Sequence, residues 1–398
     1  MKPAIVVIAY NRPKALARLL KQLDKLAHQE PPTLVISVEG AACQETIEVV
    51  ENFTPNNLIV RIIQQTERLG LRDHVIACGD LTEEYGAVIL LEDDLYVDPY
   101  FYHYAKSALS FYATDDHVAG VALYAYERNE FIDFPFSPMP NGYDAYPMKV
   151  ACSWGQCWTR SQWRSFRQWY AGKAQDDLEW DQRLPVAVRS WPESSWKKYF
   201  QAFMVEKNKY FIYPYQAYST NCSDSGGTHI RKKTSTHQVT MPVMSRPKPT
   251  PLFPTMKEKV VMYDQFMEPC GDFVWEALGL SSEQVEIDIQ GSKPFSLLKE
   301  KEFALTIKKS DQKISEYSFD FRPPEFNLLF ASSSRSTGFH LCRAKLLIGG
   351  SSRWLQINRY LYYSRVNFLS KSFIMVFIKV MPQEIVRKIM RRYGFLSF

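Results

Sequence analysis

The chain has 398 residues, of which 46% are hydrophobic, 14% aromatic and 23% charged. This composition excludes a protein that is mainly disordered, collagenous or coiled-coil, and the length leaves room for two or three domains. The net charge is +5, but residues 359–398 carry eight Lys or Arg and one Glu, which leaves −2 for residues 1–358. Because the main body has no basic excess, we expect no nucleic-acid partner.

The seven cysteines are scattered and contain no CxxC pair. This pattern favours free thiols in a reducing compartment over a zinc site. The N-terminal sequence lacks the charged start, apolar stretch and small-residue cleavage site of a signal peptide. We therefore expect a cytoplasmic protein.

The first 125 residues alternate strand-like and helix-like segments. Strands are predicted at 4–9, 34–38, 58–63, 87–91 and 118–123, and helices from Pro13 and over 44–52, 71–80 and 99–112. Asn11 is predicted to cap the first helix. Alternation with short connections predicts an α/β fold, a doubly wound sheet with helices on both faces.

The later segments differ in composition. Residues 150–220 are rich in Trp and are predicted to pack as helices and loops at one end of the sheet. A small, polar stretch over 221–229 and a Pro-rich one over 242–254 predict a mobile loop and a linker. Short alternating runs over 284–330 predict a small α+β extension. The predicted domains are an α/β domain over 1–240, a Pro-rich linker and helix over 241–280, the extension over 281–358 and a basic tail over 359–398.

The basic tail predicts an amphipathic helix. At about 100° per residue, the apolar residues of 385–393 fall on one side and four bases on the other. The apolar run upstream is far shorter than the roughly 20 residues that span a bilayer. We expect this helix to bind reversibly to an anionic membrane surface, with a helix docked on the body as the alternative.

An acidic triplet is the strongest local signal for chemistry. Glu92, Asp93 and Asp94 follow an apolar strand, and ligands of open α/β sheets bind at the carboxyl ends of strands. Packed carboxylates repel one another unless a cation compensates, and their oxygens suit Mg²⁺ or Mn²⁺ carrying a diphosphate. The alternative is a solvated acidic turn. The loop after the first strand has Arg12 and no Gly, which disfavours dehydrogenases, P-loop enzymes and sugar nucleotidyltransferases.

Three segments together resemble the GT-A glycosyltransferases. They are IVVIAYNRP at 5–13, Glu39-Gly40 after the second strand, and LEDDL at 91–95. The resemblance covers about residues 1–230 and includes the animal N-acetylglucosaminyltransferases that initiate complex N-glycans and the bacterial family 2-type transferases of surface-polysaccharide assembly. It implies a GT-A (Rossmann-like) mixed sheet over 1–240, with a nucleotide-sugar as the donor.

The resemblance also implies a donor site. The implied nucleotide-sugar-binding residues are Arg12, Glu39, Arg68, Arg72, Glu92 and Asp93. Asp94 is implied as the ligand of Mn²⁺ or Mg²⁺ on the diphosphate, and His229 as a second candidate ligand. Glu39 departs from the Asp that is usual in these families at the position that contacts the uridine.

Inverting sugar transfer needs a carboxylate that takes the proton of the acceptor hydroxyl. In the resembling enzymes this base follows a Trp in a Trp-Asp-Asp segment, and residues 180–182 are Trp-Asp-Gln here. The resemblance therefore implies Asp181 as the base, with Asp177 and Glu179 as alternatives, while acids on a helix surface remain the non-catalytic interpretation. Trp154, in a turn similar to the family's Gly-Trp turn, is the expected acceptor-side residue.

The leading hypothesis is a metal-dependent, inverting glycosyltransferase. It moves a sugar from a nucleotide-sugar, expected to be UDP-linked, to a hydroxyl of a glycan or lipid-linked glycan in bacterial surface-polysaccharide or lipopolysaccharide assembly. The expected location is the inner face of the cell membrane, as a peripheral protein. Two alternatives are a sugar nucleotidyltransferase, which shares the fold and metal carboxylates, and a non-catalytic membrane-associated scaffold with a transferase fold.

Overall fold

The computed structural model describes residues 1–26, 30–173, 181–224, 235–242, 250–329 and 338–350, together with Ser370, Lys371 and Met375. The described residues up to Gly350 belong to one compact unit. The amphipathic helix predicted at 385–393 lies outside the described residues, so membrane attachment stays a prediction. Within the described part of the chain, no helix is long and apolar enough to cross a membrane.

The described secondary structure consists of twenty strands, ten α-helices and two short 3-10 helices, the latter at Pro324–Leu329 and Ala344–Leu346. The strands are β1 Ala4–Ala9, β2 Thr33–Val38, β3 Ile59–Gln64, β4 Ala87–Glu92, β5 Leu95–Val97, β6 Val118–Ala122, β7 Arg128–Asn129, β8 Phe134–Pro135, β9 Ala145–Met148, β10 Gln156–Thr159, β11 Tyr210–Pro214, β12 Ser219–Asn221, β13 Met262–Tyr263, β14 Pro269–Cys270, β15 Val285–Asp288, β16 Phe303–Thr306, β17 Lys309–Ser310, β18 Ser315–Tyr317, β19 Phe339–Arg343 and β20 Leu347–Gly349. The helices are α1 Pro13–Leu23, α2 Gln44–Glu51, α3 Leu71–Asp80, α4 Thr82–Tyr85, α5 Phe101–Phe111, α6 Arg160–Lys173, α7 Val186–Arg189, α8 Trp196–Glu206, α9 Asp272–Leu278 and α10 Phe295–Leu298.

A ten-stranded mixed sheet forms the centre of the unit, in the order β14-β13-β9-β11-β6-β10-β4-β1-β2-β3. β1 pairs in parallel with β2 and β4, and β2 pairs in parallel with β3. All six residues of β1 are buried, as expected for a strand covered by helices on both faces. The predicted α/β sheet of GT-A type is therefore confirmed, and it brings the loops after β1 and β4 to one edge.

The start of α1 differs from the prediction, because Asn11 does not cap it. Arg12 is the residue before the helix, and no side chain accepts a hydrogen bond at this N-terminus. Asn11 has a left-handed backbone with φ of 47°, and its Oδ1 accepts a hydrogen bond from the Cys43 backbone N–H at 2.6 Å. Pro13 at the first helical position has no N–H, so one of the donors that lack a partner at a helix N-terminus is absent. Asn11 instead ties the loop after β1 to the start of α2.

The Trp-rich segment packs through α6 and α8. Trp158 on β10 and Trp163 on α6 are fully buried, with ring centroids 4.6 Å apart, and both contact Phe200 of α8. β10 runs antiparallel to β4 and β6, between which it lies. This arrangement fixes the turn before β10, which contains Trp154, beside the carboxyl end of β4.

The C-terminal part adds small sheets, as predicted for the extension. β15, β16, β19 and β18 form a four-stranded sheet, and β17 pairs with β20. The segment 241–280 does more than link, because its β13 and β14 extend the large sheet through β9. The four-part domain division itself stays a prediction. All seven cysteines are free, as their spacing predicted.

Candidate active site

Arg12 binds two acids of the triplet. Because β1 and β4 are parallel neighbours, the loop after β1 meets the triplet at the end of β4. The Arg12 guanidinium donates a hydrogen bond to Asp94 Oδ2 at 2.8 Å and forms a salt bridge with Asp93 Oδ1. Burial by itself lowers the pKa of Arg12, but the charges of Asp93 and Asp94 outweigh it and raise this pKa above the ordinary value.

The triplet holds more negative charge than Arg12 can balance. Burial, together with the charge of Asp94, raises the pKa of Glu92 to about 8 against the opposing effect of Arg12. Burial also raises the pKa of Asp93 to about 7, although Arg12 works in the opposite direction. Around neutral pH, the triplet therefore retains protons that exposed carboxyl groups would have released.

Asp94 has the properties of a metal ligand. Its Oδ1 is buried and has no hydrogen-bond partner among the described residues, while its backbone oxygen accepts a hydrogen bond from the Cys222 N–H at 2.9 Å. An unpaired carboxylate oxygen suits Mg²⁺ or Mn²⁺. The described residues contain no group of three or more His, Cys, Asp or Glu side chains that would hold an ion unaided. The second candidate ligand, His229, lies outside the described residues.

Glu39 holds the turn that precedes α3. Its Oε1 accepts hydrogen bonds from the backbone N–H groups of Leu69 at 2.8 Å and Gly40 at 3.0 Å. Its Oε2 accepts one from Gly70 at 2.9 Å and lies 3.7 Å from Nδ1 of His74. The longer side chain of Glu, compared with the usual Asp, is thus committed to backbone amides. The contact with uridine stays a prediction.

The two arginines that flank Gly70 contact groups outside the triplet. The guanidinium of Arg68 lies 5.5 Å from the ring centroid of Tyr10. Arg72 donates hydrogen bonds to Asp73 Oδ1 and to the backbone oxygen of Glu193, both at 2.9 Å. Arg72 therefore connects α3 to the segment before α8, and its nucleotide contact stays a prediction, as does that of Arg68.

A cavity of about 360 Å³ opens beside the triplet. This volume falls within the range of small-molecule sites. Three residues of the predicted donor site and the predicted acceptor-side residue line it, together with aromatic and charged side chains that the sequence analysis did not single out. The lining residues are Arg12, Leu71, Glu92, Asp94, Tyr124, Tyr126, Arg128, Asn129, Glu130, Asp133, Ser153, Trp154, Trp191, Pro192, Ser195, Trp196, Lys197, Asn221, Thr236 and His237.

Trp154 is the centre of an aromatic wall of this cavity. Its ring centroid lies 4.6 Å from that of Tyr124, 5.8 Å from that of Tyr126 and 5.0 Å from that of His237. Burial lowers the pKa of His237, so this ring is mainly neutral at pH 7. The structure thus brings Trp154 into one cavity with Arg12 and Asp94, and adds a histidine that sequence reasoning missed.

Lys197 and Glu130 form an ion pair in the same cavity. Lys197 Nζ donates to Glu130 Oε1 at 2.9 Å and Oε2 at 2.8 Å, and the Tyr126 hydroxyl donates to Oε2 at 2.9 Å. The ammonium lies 5.4 Å from the Trp154 centroid and 5.3 Å from that of Trp191. Both charged side chains are nearly buried, at 10% and 12% exposure. In the sequence, the only local indication of this ion pair is a lysine among aromatic residues at the start of α8.

Asp181, the predicted base, is paired outside this cavity. Its Oδ1 accepts a hydrogen bond from the Arg183 backbone N–H at 2.8 Å, and its Oδ2 one from Arg183 Nε at 2.8 Å. Burial by itself raises the pKa of Asp181, but Arg183 lowers it below the ordinary value. Asp181 is not one of the described residues that line the cavity. The alternatives Asp177 and Glu179 lie outside the described residues.

Residues 4–165 match the model of glycosyl transferase family 2. This segment of the chain is similar to that family. The matched segment extends from β1 into α6 and contains Arg12, the acidic triplet and Trp154, and the match confirms the predicted enzyme class, glycosyltransferase. None of the curated proteins searched matches the chain.

Several solved structures resemble the chain at low identity. S. aureus TarS 1-349 in complex with UDP-GlcNAc is 15% identical, with a TM-score of 0.37, over 58% of this chain and 60% of that one. GalNAc-T7 with UDP, GalNAc and Mn²⁺ is 11% identical, with a TM-score of 0.36, over 54% and 42%. The mannosyltransferase PcManGT from Pyrobaculum calidifontis, in complex with GDP-Man and Mn²⁺, is 13% identical, with a TM-score of 0.30, over 42% and 46%. This chain thus spans 60% or less of these proteins, and the likeness to enzymes that initiate complex N-glycans stays a prediction.

Proposed function

We propose that the protein is a metal-dependent, inverting glycosyltransferase that moves a sugar from a UDP-sugar to a hydroxyl of a glycan. The observation that supports this most directly is the cluster of Arg12, Asp93 and Asp94 at the carboxyl ends of β1 and β4. This sheet edge is where open α/β folds bind their ligands, and the cluster lies inside the family-matched segment.

One side of the cavity would bind the nucleotide-sugar. We call this the donor side, made of Arg12, Glu92, Asp93 and Asp94. The unpaired Oδ1 of Asp94 would bind Mn²⁺ or Mg²⁺, which stabilises the departing nucleoside diphosphate. Arg12 holds the two aspartates in place. With a pKa raised to about 8, Glu92 is largely protonated at pH 7, so its carboxyl group can donate a hydrogen bond to a sugar hydroxyl.

The other side would bind the glycan. We call this the acceptor side, made of Tyr126, Glu130, Trp154, Trp191 and Lys197. Aromatic rings offer flat apolar faces with polar groups nearby, which suits a sugar ring with its hydroxyls. The acceptor, in this proposal, is a lipid-linked glycan of bacterial surface-polysaccharide or lipopolysaccharide assembly. What supports that part is the charge of +7 over residues 359–398, which favours an anionic cytoplasmic membrane surface.

The donor site is tested by calorimetric titration of UDP into the protein with and without Mn²⁺. We expect binding that needs Mn²⁺ and is lost in Asp94→Asn, because the amide removes the charged ligand oxygen. A matched control is Asp98→Asn. Asp98 is a buried acid of the following loop that accepts a hydrogen bond from the Tyr100 N–H at 2.8 Å and does not line the described cavity.

Two results would contradict the proposal. Binding of UDP that is equally strong in Asp94→Asn would show that the triplet is not the donor site. If GDP or CMP binds in parallel titrations while UDP does not bind with Mn²⁺, the nucleotide of the donor would be the one that binds and not UDP. Equal losses in Asp94→Asn and Asp98→Asn would point to disturbed folding, which circular dichroism of both variants checks.

A further inference from the structure

We propose that Glu130 is the catalytic base of the sugar transfer, held in position by Lys197 and Tyr126. This inference rests on the proposed function, because it names the group that activates the acceptor hydroxyl in that reaction. It gives Glu130 the role that the sequence motif suggested for Asp181.

Few acidic side chains lie where they could act on a sugar bound in the cavity. The described acidic residues that line the cavity are Glu92, Asp94, Glu130 and Asp133. Asp94 is bound by Arg12 on the donor side. The side chain of Asp133 is 75% exposed and pairs with Arg128, so it faces water more than a bound sugar. Asp181 is paired with Arg183 and does not line the described cavity.

Position and pairing then separate Glu92 from Glu130. A general base must be deprotonated before it accepts a proton. Glu92 is the last residue of β4 and belongs to the donor side with Arg12 and Asp94, so it would face the sugar that is transferred. Glu130, by contrast, accepts hydrogen bonds from the Lys197 ammonium at 2.8 and 2.9 Å, a pairing that requires the carboxylate form.

Glu130 also keeps room for a hydrogen bond from a ligand. A carboxylate has about four lone-pair positions. Oε2 accepts from Lys197 and Tyr126, whereas Oε1 accepts only from Lys197 among the described hydrogen bonds. A sugar hydroxyl in the cavity would therefore find an open position on Oε1. Lys197 and Tyr126 fix the carboxylate through three hydrogen bonds and would act as positioning residues.

The surroundings of Glu130 fit an acceptor sugar close to the donor. Lys197 lies beside the rings of Trp154 and Trp191, which form the aromatic faces of the acceptor side. The charge of Lys197 acts on Glu92, and those of Glu130 and Asp94 both act on His237. The two sides of the cavity are thus within electrostatic reach of each other, as transfer between two bound sugars requires.

The step balances with these groups alone. The acceptor oxygen forms a bond to the anomeric carbon of the donor sugar. The bond from that carbon to the phosphate oxygen breaks, and its electron pair leaves with the nucleoside diphosphate. The hydroxyl proton moves to Oε1 of Glu130 and from there to water. Lys197 keeps its proton throughout and stabilises the carboxylate that is restored.

The test measures UDP release from UDP-glucose and UDP-N-acetylglucosamine with Mn²⁺, with water as the acceptor, in the full-length chain. In Glu130→Gln we expect turnover to fall by at least about 100-fold, the lower end of general-base effects. The affinity of this variant for UDP should stay within threefold of that of the parent protein. The matched control is Glu127→Gln, three residues earlier in the chain, where Glu127 is exposed and accepts a hydrogen bond from the Thr240 N–H at 2.8 Å.

Further variants separate a chemical role from a structural one. The double variant Glu130→Gln/Lys197→Met removes the ammonium that the single change leaves unpaired, and should remain inactive while binding UDP. Glu130→Ala should regain at least tenfold activity with added formate, which supplies an external carboxylate.

Three results would overturn the inference. Turnover of Glu130→Gln within threefold of the parent protein would exclude Glu130 as the base. Loss of turnover in Asp181→Asn with retention in Glu130→Gln would return the role to Asp181. If the parent protein does not bind UDP with Mn²⁺, both this inference and the proposed function are overturned. If UDP binds normally and Glu130→Gln is active, only the inference is overturned.

Discussion

The donor and acceptor sides of the cavity balance their charges differently. On the donor side, three acids share one arginine, and burial raises the pKa of Glu92 to about 8 and of Asp93 to about 7. On the acceptor side, Glu130 and Lys197 form a matched pair with a hydroxyl of Tyr126 beside it. The comparison shows that only the donor side has negative charge left for a cation, so dependence on metal and pH should originate there.

The two sides also differ in how the chain builds them. The donor side comes from the ends of two adjacent parallel strands, β1 and β4, whose pairing register fixes Arg12 against the triplet. The acceptor side joins the loop after β6, the turn after β7, the turn before β10, the segment between α7 and α8 and the first turn of α8. Glu130 and Lys197 are separated by 67 residues. The ends of two strands therefore place the residues of the donor side, whereas tertiary packing brings together those of the acceptor side.

The largest expected effect is on the donor side, from Arg12→Met. Removing Arg12 leaves the acids Asp93 and Asp94 buried without a counter-charge, and we expect a loss of about 3 kcal/mol in the free energy of unfolding. Mn²⁺-dependent UDP binding should weaken as well. Urea unfolding measures the stability. The control is Arg61→Met, because Arg61 pairs with Glu84 on the surface, where such pairs contribute about 0.5 kcal/mol. Equal losses in the two variants would contradict the importance of the buried cluster.

A second change on the donor side is Gly40→Ala. A Cβ at Gly40 would lie 2.1 Å from the backbone C and O of Glu67 and 2.7 Å from the N of Arg68, so the turn held by Glu39 must move. We expect a loss of about 2 kcal/mol, as for an overpacked core position, and weaker UDP binding. The control Gly172→Ala, where a Cβ meets nothing within 4 Å, should lower neither stability nor UDP binding, since Ala favours the helix α6 more than Gly does. Unchanged unfolding and binding in Gly40→Ala would mean that the turn is pliable.

The sequence predicted the donor side better than the acceptor side for a physical reason. A buried parallel strand leaves a continuous apolar run in the sequence, and the residues that follow it, such as Asp94, are placed at the site by the strand itself. Glu130 follows no such run, and its partner Lys197 is brought to it only by the packing of α8. The motif around Asp181 indicates a different base from the Glu130 that we propose, and the pairing of Asp181 with Arg183 two residues later is not visible in a family pattern.

The acceptor side is probed by Lys197→Met, which should separate the two sides. Glu130 loses its ammonium partner but keeps the Tyr126 hydroxyl and some exposure, so we expect a loss of about 1.5 kcal/mol, less than for a fully buried pair. UDP binding with Mn²⁺ should stay within threefold, since the donor side is intact. Lys207→Met, just beyond the end of α8 and half exposed, serves as the control. A loss of UDP binding as large as that of Arg12→Met would show that the two sides form one unit.

The smallest expected effect, counted per pH unit, is the change of the free energy of unfolding with pH. It should arise from the acids of the donor side. In the unfolded chain Glu and Asp titrate near pH 4, whereas in the folded protein burial raises the pKa of Glu92 to about 8 and of Asp93 to about 7. Between these values the folded state holds protons that the unfolded state has released. The free energy of unfolding should therefore fall as pH rises from 5 to 8, by at most about 1.4 kcal/mol per pH unit for each group.

Glu92→Gln removes one of these groups and should flatten the fall, whereas Glu130→Gln on the acceptor side should leave its slope unchanged. The same protons compete with a cation, so UDP binding in the presence of Mn²⁺ should strengthen from pH 6 to pH 8 in the parent protein. Urea unfolding and calorimetry at four pH values measure both trends. A stability that rises with pH over this range would mean that the acids of the triplet are ionised in the folded protein, and the excess negative charge would then have to be balanced by a cation beyond Arg12.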